Sequence, residues 1–217
     1  MKKLLSYLWP ITKRYSSEIN GTLEVTLING KKVLDTENAN YSYGSLQKIL
    51  EFALREVELS SVENILLLGM GGGSVIKSLR EKFNYQKHLV AIEIDPEIIK
   101  IAKDEFGIIE SENQHIIQDD AIHYVKNASD IFQLIIIDLF IDSNVAPIIF
   151  GAEFCNNLSR ILDNNGCIIF NIGINLESDS DKSQAIISHF GKDFDFQKHS
   201  KVNGSNTLLI GKKNKYF

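Results

Sequence analysis

Acidic residues close three of the apolar runs in this 217-residue chain. Glu93 ends LVAIE, Asp138 ends LIIID, and Asp119-Asp120 follows HIIQ. A fourth run, ILLL at Ile65–Leu68, ends instead in GMGGGS, which sets Gly69, Gly71, Gly72 and Gly73 before a helical pattern. Glycines at the end of a buried strand let the turn tighten and let a ligand lie against main-chain amides. The same glycines also suit a turn with no ligand. An acidic residue some 20 positions past such a turn is placed to accept hydrogen bonds from both hydroxyls of a ribose, and Glu93 fits. The alternatives for Glu93 are a solvated strand end or a helix cap, and Asp95, directly before Pro96, suits the cap better. Asp119 and Asp120, followed by Ala121, stand either as helix caps or as acceptors for an adenine amino group. Asp138 would lie over the middle of the same cleft.

Elements that could bring these residues together follow from the periodicity. Continuously apolar strands such as ILLL and LIIID are expected where helices cover both faces of a sheet. Strands at Ile65–Leu68, His88–Ile94, His115–Gln118, Phe132–Asp138 and Cys167–Ile172 alternate with helical patterns at 74–83, 96–106, 121–126, 150–162 and 182–190. This alternation predicts an α/β fold, a doubly wound and mostly parallel seven-stranded sheet. The last two strands, Phe194–Lys201 and Thr207–Lys212, follow each other across Asn203-Gly204, so an antiparallel edge is expected. Upstream, Gly21–Asp35 reads as a β-hairpin around Asn29-Gly30, then a helix from Tyr43 to Glu56. MKKLLSYLWPITKRY reads as a short amphipathic helix interrupted at Pro10. The expected division is an N-terminal helix and hairpin over residues 1–43 and a nucleotide-binding domain over 44–217.

Composition narrows the class. A 44% hydrophobic content sustains one sizeable core, and a net charge of -5 argues against a nucleic-acid partner. No apolar run reaches the roughly 20 residues of a membrane span. Two cysteines, Cys155 and Cys167, are too few for a disulfide scaffold, so a cytoplasmic protein is expected. The five histidines show no metal-ligand spacing, and no metal site is expected. His123 reads as a surface or packing residue, and Cys155 as buried packing.

ILLLGMGGGSV, VAIEIDPEII, IIQDDAIHYV and FQLIIIDLF, in this order and spacing, resemble the nucleotide-site motifs of the spermidine synthase family. That family belongs to the S-adenosylmethionine-dependent methyltransferase superfamily. The resemblance runs from about Gly21 to Gly173 and implies the class I methyltransferase type of sheet behind a small N-terminal β-hairpin region. It implies S-adenosylmethionine, or its decarboxylated form, as cofactor. Gly69, Gly71 and Gly73 match the cofactor loop, Glu93 the ribose carboxylate, Asp120 the adenine carboxylate and Asp138 the acid that serves aminopropyl transfer. A homodimer and a small-molecule acceptor are implied as well. Tyr41 and Tyr43 match the junction, where they either close over the site or staple the two regions together.

Departures from the family pattern fall on the polyamine site. The loop Asp that holds the donor's amino end is replaced by Gly72; Tyr43 is followed by Gly44 and Ser45 rather than by a polar residue and Glu; Asp138 and Asp142 stand four apart instead of three. Burying the two ammonium groups of a diamine without carboxylate partners is costly. Tyr43, Asp138 and Asp142 remain the acceptor-site candidates, with Asn171 at the end of the fifth strand as a further contact. On the sequence alone, methyl transfer to a small acceptor comes first, aminopropyl transfer second, and a nucleotide-binding module without turnover third. A nicotinamide enzyme fits the acidic strand ends less well.

Overall fold

The computed structural model describes residues 2–36, 40–140, 147–174, 179–204 and 206–214. Seven strands form the main sheet: β5 (Asn64–Leu68), β6 (His88–Glu93), β7 (Gln114–Gln118), β8 (Phe132–Ile137), β9 (Leu162–Ile174), β10 (Phe194–Val202) and β11 (Asn206–Lys213), in the order β10-β11-β9-β8-β5-β6-β7. Strands β5 to β9 pair in parallel, and β11 runs antiparallel to both β9 and β10. The order reverses at β5, so the crevice lies where the β5 and β8 chains leave the sheet in opposite directions.

Period-two alternation sends successive side chains of these apolar strands into two different cores. Ile65, Leu67, Leu134 and Ile136 pack with residues of helices α2 (Gly44–Arg55), α3 (Ser74–Lys77) and α4 (Pro96–Phe106). Leu66, Leu68, Ile135 and Ile137 pack with α5 (Ala121–Asn127), α6 (Ala152–Ile161) and α7 (Asp179–Phe190). Helix α3 continues as a π-helical turn over Ser78–Lys82, whose Ser78 carbonyl accepts from Phe83 N at 3.0 Å. Cys155 is fully buried on α6, and burial pushes its thiol up to about 12, as expected of packing rather than chemistry.

The N-terminal region is larger than a hairpin. β1 (Ile11–Ser17), β2 (Gly21–Ile28), β3 (Lys31–Thr36) and β4 (Asn40–Ser42) form a four-stranded antiparallel sheet. Asn29 and Gly30, both at positive φ (49° and 73°), make the expected turn between β2 and β3. The amphipathic helix expected over MKKLLSYLWPITKRY is corrected: only α1 (Lys2–Leu5) is helical, and after Pro10 the chain pairs with β2 from Ile11↔Leu27 to Ser17↔Gly21. The helix has already given way to a turn after Leu5, Pro10 removes a donor that a longer helix would need, and Thr12 and Tyr15 suit a strand.

This small sheet is clamped to α4. Leu23, Val25 and Leu34 pack on Ile98 and Ile101, while Tyr15 OH (2.7 Å) and the ammoniums of Lys13 (2.5 Å) and Lys32 (2.7 Å) meet on the Glu105 carboxylate. Ser17 and Asn20 donate to Asp95 Oδ2 at the other end of α4. Burial alone would raise the Glu105 carboxyl, but the hydrogen bonds from Lys13, Lys32 and Tyr15 outweigh it and hold it at about 2. A folded-state value below the unfolded one (about 4.3) means stability that is present above about pH 4.3 and is lost as pH falls through about 2. Glu105→Gln is expected to cost about 1–3 kcal/mol and to flatten that acid limb, as read from thermal melts between pH 5 and 2.

Candidate active site

The glycine turn is built into the sheet from both sides. Gly69 N and Met70 N both donate to Ile92 O on β6, at 3.0 and 3.1 Å, and Asp138 N donates to Leu68 O at 2.9 Å. Gly69 (φ 86°), Gly71 (54°) and Gly73 (82°) occupy left-handed backbone that other residues adopt at a cost. A Cβ on Gly69 would run into the carbonyl oxygen of Asp138, and one on Gly73 into Ile108. Thus β5, β6 and β8 deliver one rim, on which the Met70 side chain is buried in the core and the rest of the loop is main chain.

Glu93 stands at the centre of that rim, 4% exposed. Its Oε2 accepts from Gly71 N at 2.9 Å and its Oε1 from Asp95 N at 3.1 Å. Burial, only partly offset by these donors, pushes its carboxyl up to about 7. Asp95 does the other duty the sequence suggests: it caps α4, its Oδ1 accepting from Glu97 N at 2.9 Å. The two acidic residues after β7 divide differently. Asp120 caps α5 through Oδ1, which accepts from Ile122 N (2.7 Å) and His123 N (3.1 Å). Asp119, whose main-chain N donates to Glu93 O at 3.1 Å, pairs its carboxylate with His123 Nδ1 at 3.0 Å. Ala121 is buried as the first residue of α5. The motif match assigns the adenine contact to Asp120, but one of its oxygens is already used as a cap. The partner of His123 went unseen in the sequence although the Asp119-to-His123 spacing of four would have shown it.

Asp138 follows β8 and is partly exposed. Its Oδ1 accepts from Asn171 Nδ2 at 2.8 Å. Protein packed around the carboxyl pushes it up to about 6 in spite of that donor. Tyr43, at φ 74° before α2, is 7% exposed. Its hydroxyl donates to Gly72 O at 3.1 Å, and its ring stacks on Phe106 with centroids 4.4 Å apart. In this arrangement Tyr43 staples the small sheet to the glycine turn. A Cβ on Gly72 would lie 3.0 Å from Ser42 Cβ and 3.3 Å from Leu34 Cδ2. Asp142 and the side chain of Tyr41 lie outside the described residues. Among the described residues, no three His, Cys, Asp or Glu side chains are grouped to hold a metal ion, and no helix is long and apolar enough to cross a membrane.

A reversed-order parallel sheet with an antiparallel β11 and a glycine turn after β5 is the fold of the class I methyltransferases. Solved structures share it: a probable spermidine synthase from Corynebacterium glutamicum (17% identity, TM-score 0.66, covering 96% of this chain and 79% of that one). Human methyltransferase-like protein 13 in complex with SAH also matches (20% identity, TM-score 0.61, 79% and 82% covered). Residues 48–194 match the spermine/spermidine synthase domain, and the chain belongs to that family. A polyamine aminopropyltransferase from Thermoplasma acidophilum is 32% identical over 115 residues, which cover 51% of this chain and 41% of the relative. The chain spans about half the length of the curated relatives it matches.

Proposed function

We propose that this protein transfers an aminopropyl group from decarboxylated S-adenosylmethionine to a small amine. The observation that carries the proposal is Asp138, a carboxylate held by Asn171 on the same rim as the glycine turn and Glu93. Membership of the family and the name of the curated relatives support the aminopropyl group, and they reverse the order drawn from the sequence alone.

The residues present suit an adenosyl ligand. Glu93 accepts from main-chain N–H groups alone, and a carboxylate offers about four lone-pair sites. Capacity for a ribose hydroxyl is left over. Gly69 to Gly73 would line the ligand with main chain, and Asp119 or Asp120 would meet the base. When bound, the donor's sulfonium makes its neighbouring carbons electrophilic. What the protein must add is position and a proton acceptor, because an amine attacks only when neutral. Asp138, ionised above about pH 6, orients the acceptor nitrogen and takes its proton.

Methyl transfer is the second reading, favoured by Gly72. The loop carries no carboxylate for an aminopropyl ammonium, and Ser42 and Leu34 fill the place where a side chain would start. Mass spectrometry of reactions containing either S-adenosylmethionine or its decarboxylated form, each with putrescine and with spermidine, tests the order. Aminopropylated amine from the decarboxylated donor is expected. Methylated product would put the second reading first, and calorimetric binding of both donors without consumption of either would leave a binding module.

A further inference from the structure

Two side-chain amides and one main-chain N–H converge behind Asp138. Asn171 on β9 is 1% exposed and Asn206 on β11 is 8% exposed. Asn171 Oδ1 accepts from Asn206 Nδ2 at 3.0 Å and from Gly173 N at 3.2 Å, while Asn171 Nδ2 donates to Asp138 Oδ1 at 2.8 Å. An irregularity in the β9–β11 pairing makes this possible. Thr207 is opposite Gly173 and Leu208 opposite Asn171, so Ile172 is an extra residue with no partner on β11. Such a bulge bends the strand and re-aims its neighbours. Here Gly173, at φ 93°, turns its N–H back onto the Asn171 side chain.

The two ends of an amide have nearly the same shape and differ in whether they donate or accept. With two N–H donors on its oxygen, Asn171 cannot turn over without leaving both unsatisfied in a buried place. Its N–H end is thereby committed to Asp138. We propose that Asn206 is a positioning residue: acting through Asn171, it fixes the donor that keeps the Asp138 carboxylate in one orientation as a proton acceptor. The catalytic meaning of this relay rests on the reading of Asp138 given above, whereas the relay itself does not.

Among the described residues, few groups act on Asp138. β5 and its turn approach it with main chain at Leu68 and Gly69, and β9 with Asn171, behind which stands Asn206 of β11. Among the described residues, burial and the Asn171 hydrogen bond are what displace its titration.

The test is a carbon-detected NMR titration of aspartate carboxyls in the full chain, with Asp138→Asn assigning the signal. Wild type is expected to titrate near pH 6. Asn171→Ala should raise the midpoint by about one pH unit through loss of a donor to the charged form, and Asn206→Ala by about half as much. Asn206→Asp should raise it more than Asn206→Ala, because both lose the donor to Asn171 Oδ1 and the carboxylate adds a like charge that repels that oxygen and opposes ionisation of Asp138. An Asn206→Ala midpoint equal to that of wild type, with Asn171→Ala shifted, overturns the proposal. Should the variants fail to fold, the side-chain amide signals of wild-type Asn171 and Asn206 are followed instead. Both are expected to move at the Asp138 midpoint, and a flat Asn206 signal overturns the relay. Full transfer activity in Asp138→Asn would sink the functional reading while leaving the titration result in place.

Discussion

Asp138→Asn is expected to slow transfer by on the order of 10²–10⁴-fold while leaving donor binding within about twofold of wild type. The amide keeps the shape of the carboxyl, and its oxygen can still accept from Asn171 Nδ2, so the fold and the hydrogen bond at 2.8 Å survive. What is lost is a group able to take a proton from the acceptor. Product formation by mass spectrometry and donor binding by calorimetry separate the two effects. A variant that keeps more than a tenth of the wild-type rate would end the assignment. In wild type, the rate should rise with pH through about 6 as the carboxyl ionises. Stability moves the other way at this site. A carboxyl raised above its unfolded value of about 3.9 binds its proton more tightly in the folded state, so its contribution declines as pH increases from about 3.9 to about 6.

Gly69→Ala should lose about 3 kcal/mol or more in stability. Left-handed backbone costs a non-glycine residue about 1–2 kcal/mol, and forcing an atom into packed surroundings costs about 1–3 more. The obstructing atom is the Asp138 carbonyl oxygen, part of the main chain, and cannot swing aside as a flexible side chain would. Asp138 N is also tied to Leu68 O, so the two strand ends would have to separate together. Thermal and urea unfolding read the effect. Gly107→Ala, also at positive φ (72°) but with open space around its Cβ, isolates the backbone share; equal losses at the two positions would refute the steric argument.

Much of this architecture was legible because its signals are local. Apolar runs covered on both faces, Asn-Gly turns and the Asp95-Pro96 cap each state their structure within a few residues. β1 did not. As part of the small sheet it exposes Thr12, Lys13 and Arg14, so it lacks the alternation that marks a half-buried strand, and the leucines ahead of Pro10 mimic a helical face. β4, with three residues, is too short to show a period at all. At the rim, Glu93 could be separated from Asp95 by cap chemistry, whereas the division of labour between Asp119 and Asp120 required the positions of α5 and His123. The place of Asn171 at a strand end suggests a contact for the acceptor, and nothing local in the sequence shows its bond to Asp138, 33 residues away. Asn206 carried no signal, since its partner lies 35 residues away and meets it only through the β9–β11 register.

That register has a chemical consequence. β9 brings its last residues to the rim, but β11, running against it, brings its first, with Asn206 facing Ile174 just after a turn in which Gly204 N donates to Lys201 O at 2.9 Å. A slip of β11 by one place would present the opposite set of side chains, and the buried faces of the strand resist it. The register of this one strand pair thus governs whether an amide or a hydroxyl stands behind Asp138.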